Sequence, residues 1–130
     1  MANTNFESLQ IYKLSEDLPD QIWKIVLRWD VFAKETVGKQ LVRAVDSIGA
    51  NIAEGSGRGT NPEFRRFLRV ARGSLYETQH WLRRAFRRKL LTDKQVRDLL
   101  PLVNELTPKL KAYLRSIGSL AKSRSHSTDN

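Results

Sequence analysis

Four stretches of this chain repeat apolar residues at steps of three and four, and no stretch of useful length alternates them at two. Steps of three and four follow the turn of an α-helix and put those residues on one face, whereas a half-buried strand needs a period of two. The first stretch is Ile11, Leu14, Ser15, Leu18, Ile22, Ile25, Val26 and Trp29, and the second is Val37, Leu41, Ala44, Val45, Ile48 and Ile52. The third is Phe64, Phe67, Leu68, Ala71, Leu75, Thr78, Leu82, Ala85 and Phe86; the fourth is Val96, Leu99, Leu100, Val103, Leu106, Leu110, Tyr113, Leu114 and Ile117. Four such helices joined by short loops bury their stripes most simply as an antiparallel up-down four-helix bundle, an all-α fold. The 130 residues fit one domain, expected over 1–120. The serine-rich stretch from Lys122, without an apolar residue, marks a disordered polar tail over 121–130.

Helix breakers place the boundaries. Pro19 falls inside the first pattern, where it removes a helical hydrogen bond and crowds the carbonyl four residues back, so a kink or a break into two pieces is expected there. The second helix is expected to stop at Gly55, because Gly55-Ser56-Gly57-Arg58-Gly59-Thr60 cannot continue a helix cheaply. Asn61-Pro62-Glu63 reads as N-cap, first-turn proline and an acid favoured by the helix dipole. Thr92-Asp93-Lys94-Gln95 matches a capping box and opens the fourth helix. Pro101 and Pro108, seven apart, share the side opposite the apolar stripe, so both bend that helix in one sense and let it curve around a core.

The net charge of +9 is concentrated in one segment: residues 58–92 carry ten cations against Glu63 and Glu77 alone. A local basic excess attracts polyanions and steers association, and says nothing by itself about fold. On the third helix Arg65, Arg69, Arg72, Arg83 and Arg87 line up opposite the apolar face, with Tyr76 and His80 between them, Arg66 and Arg84 at the flank, and Arg88 following. At ~1.5 Å per residue the stripe is about 30 Å long, enough to follow several backbone phosphates. Charged residues at 28% and the absence of an apolar run near 18 residues leave no membrane span. The polar Met1 to Phe6 stretch shows no signal-peptide pattern, so the expected location is the cytoplasm.

Catalytic signals are poor. With no cysteine, thiolate nucleophiles, Fe–S clusters and Cys-ligated zinc are excluded. Glu77-Thr78-Gln79-His80 has the Glu-x-x-His spacing of di-iron bundles, but those need two copies plus two further glutamates, and His80 points among the arginines. No metal or cofactor is therefore expected, and no enzyme, since few acids and bases could form a site. The Gly-rich loop with Arg58 allows anion contact ahead of a helix N-terminus, or serves only as a C-cap and connector; it lacks the lysine and preceding strand of a P-loop. Glu54 lies in the last turn of its helix, against the dipole, and calls for a cation, with Arg43 and Arg58 as candidates. Arg43, Ser47, Ala50 and Glu54 form a polar stripe on the non-core side of the second helix that is either a second packing surface or a solvated face. Gly73 inside the third helix costs roughly 1 kcal/mol relative to alanine, which close approach of another backbone, from a neighbouring helix or another subunit, would offset.

Gln40-Leu41-Val42-Arg43-Ala44, Ser47-Ile48-Gly49-Ala50-Asn51-Ile52-Ala53-Glu54-Gly55-Ser56-Gly57-Arg58, Phe64, Phe67-Leu68, Ala71-Arg72-Gly73-Ser74 and Glu77 resemble, in order and spacing, the 23S rRNA-intervening-sequence proteins. The resemblance spans about residues 6 to 118, with a weaker start at Phe6, Leu9 and Tyr12. It implies small bacterial cytosolic proteins whose up-down bundle assembles into a ring-like homopentamer, and a related branch of accessory proteins of diversity-generating retroelements that act beside a reverse transcriptase and RNA. It implies no activity, catalytic residue, cofactor or small-molecule substrate. Pro19, Pro101 and Pro108 depart from the family pattern and bear on the helix ends.

The expected function is that of a non-enzymatic, basic, oligomeric bundle that binds RNA or another nucleic acid, with Arg65, Arg66, Arg69, Arg72, Arg83, Arg84, Arg87 and Arg88 contacting phosphates. Arg43, Ser47, Asn51, Glu54, Gly73 and Glu77 are the candidate assembly residues. The alternative is a structural adaptor whose arginine face binds an acidic protein or a neighbouring subunit.

Overall fold

The computed structural model describes the backbone of residues 2–128 and the side chains of residues 10–117. Every regular element in it is helical: α1 (Ala2–Val26), α2 (Val31–Ala33), a π-helical turn (Lys34–Gly38), α3 (Lys39–Ser56), α4 (Asn61–Arg87) and α5 (Asp93–Thr128). The one-turn α2 and the π turn lead directly into α3, so the chain forms four rods. Each rod packs on two neighbours, in the cyclic order α1, α3, α4, α5, with the most extensive packing between α3 and α4. That is the antiparallel up-down bundle expected from the periodicity. No helix among the described residues is long and apolar enough to cross a membrane.

The core is built from the predicted stripes. Ile11, Leu18 and Ile22 of α1, Leu41, Val45, Ile48 and Ile52 of α3, Leu68, Ala71 and Leu75 of α4, and Leu106, Leu110 and Ile117 of α5 are all buried. At one end, the indole N–H of Trp29, in the loop after α1, donates to the carbonyl of Leu90 in the loop after α4 at 3.0 Å. This bond ties together two connections that are 61 residues apart in sequence. At the other end the ring of Tyr113 on α5 meets that of Phe64 on α4 edge to face, with centroids 5.6 Å apart.

Several helix boundaries differ from the sequence reading. α1 runs unbroken through Pro19. Proline has no N–H to offer the carbonyl of Ser15, but buried side chains on both sides of it, Leu14 and Leu18 before and Ile22 and Val26 after, hold the two halves to one core. The Ser15 hydroxyl donates to the Tyr12 carbonyl at 2.6 Å, and Gly49 of α3 presses against the same residue: a Cβ on Gly49 would lie 2.9 Å from Ser15 Oγ. α5 likewise passes Pro101 and Pro108, both exposed, so that the carbonyls they leave unpaired can reach water. Its backbone is helical to Thr128, through most of the stretch expected as a disordered tail, while side chains beyond Ile117 and residues 129–130 lie outside the described residues.

Gly55 does not end the second rod. It is buried within α3, and the cap is Gly57. A Cβ on Gly55 would stand 2.7 Å from Phe67 Cβ and 2.9 Å from Phe64 Cδ1, so this glycine is required by the close approach of α4. The N-cap of α4 is Thr60, one residue earlier than expected, and its hydroxyl accepts from the Glu63 N–H at 3.4 Å. At the other end of α4, the Leu90 N–H reaches the Ala85 carbonyl at 2.8 Å and the Lys89 N–H reaches Phe86 at 3.1 Å, a Schellman cap with Lys89 at φ 60°. Arg88 is therefore the cap residue and not part of the helix.

The Gly55 contact is testable. Gly55→Ala places a methyl against the backbone-proximal atoms of Phe67, which cannot swing away. It should destabilise the protein by about 1–3 kcal/mol in urea unfolding; an unchanged midpoint would show that α3 and α4 do not meet this closely.

Candidate nucleic-acid interface

The exposed surface of α4 is two bands rather than one arginine stripe. On the side facing α3, the Ser47 and Ser74 hydroxyls share a hydrogen bond at 2.8 Å, and Asn51 Nδ2 donates to the Ser47 carbonyl at 2.8 Å and to its hydroxyl at 3.0 Å. Arg43 lies 3.7 Å from Glu77, whose carboxylate also accepts from the Trp81 indole at 3.4 Å. Val70 and Gly73 are exposed on this side, and Val70 keeps 47% of its surface in solvent. The candidate assembly residues thus converge along one seam, with Glu54 at its end.

Glu54 is held by Arg58 at 2.8 Å and not by Arg43, which pairs with Glu77 and with the Gln40 amide. The sequence left both arginines open as partners; which one reaches Glu54 is settled by the turn after α3. The two side chains of the Glu54–Arg58 pair stay 55% and 45% exposed, so water screens the attraction. Glu54→Gln in the isolated chain should therefore change stability by no more than ~0.5 kcal/mol. A large fall in melting temperature would mean that a further surface covers the pair.

At Gly73 the chain itself supplies no close backbone. A Cβ there meets nothing within 4 Å, so no neighbouring backbone of the same chain compensates for a glycine in the helix interior.

On the side facing α5, the Gln79 amide donates to the Thr107 hydroxyl at 3.4 Å, and the Lys111 ammonium stands 5.5 Å from the centre of the Tyr76 ring. Arg65, Arg72 and Arg83 lie on this side by helical angle, while Arg69 and Arg87 occupy the ridge between the bands. Arg66, Arg69, Arg83, Arg87 and Arg88 are exposed; Arg65, Arg72 and Arg84 are half-buried, with the Nε of Arg65 and of Arg84 covered and unpartnered. Arg66 lays its guanidinium over Phe67 at 4.7 Å, and Arg58 covers the same ring at 5.1 Å. Among the described residues none of these eight arginines forms an ion pair. Their charge is available to an outside anion, with Arg66 and Arg84 beside Gly73 and Glu77 on the α3 side by helical angle and the others along the ridge and toward α5. His80 is exposed beside the Trp81 ring, and the described residues contain no cluster of potential metal ligands.

Three carboxylates gather at the groove between α1 and α3. Glu16 and Asp20 of α1 and Asp46 of α3 border a groove beside Pro19. Burial, with the Asp20 charge added, pushes the Asp46 carboxyl above its ordinary value of 3.8.

The sequence profile of the 23S rRNA-intervening sequence proteins matches residues 7–112. The chain belongs to that family. A crystal structure of a protein of unknown function from the S23 ribosomal protein family, from Bacteroides thetaiotaomicron, superposes with a TM-score of 0.74 over 84% of this chain and 98% of that one, at 22% identity. At that identity the likeness establishes the fold. No curated protein matches the chain. This 23S rRNA-intervening sequence protein places Arg43, Ser47, Asn51, Ser74 and Glu77, residues that carry the sequence resemblance, along the α3–α4 seam.

Proposed function

We propose that this protein is a non-enzymatic homo-oligomer that binds RNA through the arginines of α4. The observation that carries the reading is that the eight arginines from Arg65 to Arg88 form no ion pair among the described residues. Unpaired guanidinia on a rigid helix release bound counterions when they meet phosphates, and this gives affinity without base preference. The family's association with rRNA genes agrees with an RNA partner, and its link to retroelement accessory proteins is a further proposal in the same direction. The adaptor alternative uses the same charges against an acidic protein.

Assembly uses the α3–α4 seam. A solvent-facing glycine in mid-helix, an exposed Val70 and a line of small polar side chains form a shallow surface that a second copy can approach closely. Five copies in a ring is the number the family resemblance implies. Light scattering should return a mass several times 15.0 kDa. Gly73→Leu, whose Cβ meets nothing within 4 Å, should lower that mass while the fold is kept. A wild-type mass of one chain at micromolar concentration overturns the assembly.

RNA binding is checked by its salt dependence. For wild-type protein and a single-stranded RNA, log affinity should fall steeply with log salt. Arg69→Glu/Arg83→Glu should make that slope shallower by about 1.4, at about 0.7 for each phosphate that is no longer neutralised. If the variant assembles normally and keeps the wild-type affinity and slope, the arginine face is not the RNA site and the adaptor reading replaces it.

A further inference from the structure

Between α4 and α5, near the end closed by the Trp29–Leu90 bond, lies an open cleft of about 380 Å³. Its walls are apolar, with Leu82 and Phe86 on α4 and Leu99, Leu100 and Val103 on α5, and Gln79, Arg83 and Asn104 supply its polar groups. The periodicity placed Phe86 and Leu100 in the core, but Phe86 keeps 51% of its surface exposed and Leu100 49%, because both sit on the two lips of this cleft. The size falls within the ~300–1,000 Å³ range of small-molecule sites, and an apolar interior with a few polar groups is their usual composition.

Three features restrict what enters. Arg83 belongs both to the cleft and to the unpaired arginine surface, so the occupant carries an anionic group next to an apolar, planar or elongated body. Phe86 offers an accessible aromatic face, whereas Tyr76, the other exposed aromatic on the α5 side of α4, already carries the Lys111 ammonium over its ring. Asn104, whose side-chain amide makes no hydrogen bond among the described residues, and Gln79, bonded only weakly to Thr107, present amide donors and acceptors of the kind that read base edges. A nucleobase with its phosphate meets all three conditions.

We infer that the α4–α5 cleft receives an unstacked base of single-stranded RNA, stacked on Phe86, while Arg83 and Arg87 hold the flanking phosphates. This inference rests on the RNA reading of the arginine face and narrows it from RNA in general to a strand with at least one splayed base. Duplex RNA keeps its bases stacked and presents only its backbone, so it engages the arginines and leaves the cleft empty. A base stacked on an aromatic side chain adds to affinity in a salt-insensitive way, on top of the phosphate contacts.

The test uses a short single-stranded RNA bearing 2-aminopurine, whose fluorescence falls on stacking, and a duplex of equal length. Wild-type protein should bind the single strand more tightly than the duplex and quench the probe. Phe86→Ala, at a half-exposed position, should weaken single-strand binding about tenfold and abolish the quench, with duplex affinity and the salt slope unchanged. Asn104→Leu, which narrows the cleft from the α5 wall without adding an aromatic ring, should give the same loss and guards against a folding defect confined to Phe86→Ala. If both variants bind and quench like wild type while Arg69→Glu/Arg83→Glu still loses affinity, the cleft holds no base and only the arginine reading stands. If none of the variants alters binding, both readings fall. Saturable binding of a long-chain carboxylate in the cleft that the single-stranded RNA does not displace also overturns the inference.

Discussion

The close contact of α3 with α4 sets the geometry of the whole molecule. Gly55 against Phe67, and the Ser47 hydroxyl against that of Ser74, let two helices approach to a distance that larger side chains would forbid. Because α4 is committed to α3 on one side and to α5 on the other, its remaining surface has only one place to go. The arginines are outward for that reason, and the apolar residues at the edges of the buried stripe are left at the lips of the cleft with α5.

Charge and shape then divide α4 along its length. Toward α3 the surface is small, polar and internally bonded, with Arg43 and Glu77 neutralising each other at long range. An exposed pair of this kind adds little stability, since solvent screens it and two long side chains must be ordered. Such a surface is better suited to close packing than to capturing a polyanion. Toward α5 and along the ridge the guanidinia form no ion pair among the described residues.

The covered Phe67 ring shows how a basic surface is built over an apolar core without exposing it. Arg58 and Arg66 lay their guanidinia over the ring, which is 8% exposed. Phe86, nineteen residues on, has no such cover and opens onto the cleft instead. The two phenylalanines share a helix and an apolar stripe in sequence; they differ in which neighbours the fold brings to them.

Helical periodicity alone determined the fold class, the core positions such as Leu41, Ile48, Leu68 and Leu106, and the outward direction of the arginines, because each depends only on spacing along one helix. The motif around Asn51, Glu54 and Gly55 also carried the family resemblance. What spacing could not decide were matters between helices. Pro19 is tolerated because side chains before and after it share one core. Gly55 serves contact with Phe67 and not termination, the π turn at Lys34–Gly38 leaves no mark in the apolar pattern, and Lys89 takes a left-handed cap position that glycine usually fills. Arg58 rather than Arg43 reaches Glu54, and Phe86 borders a cleft rather than the core. A single helix's pattern says which face is inward, but the depth of burial at the edges of that face is set by the distance and partner that only the packed bundle supplies.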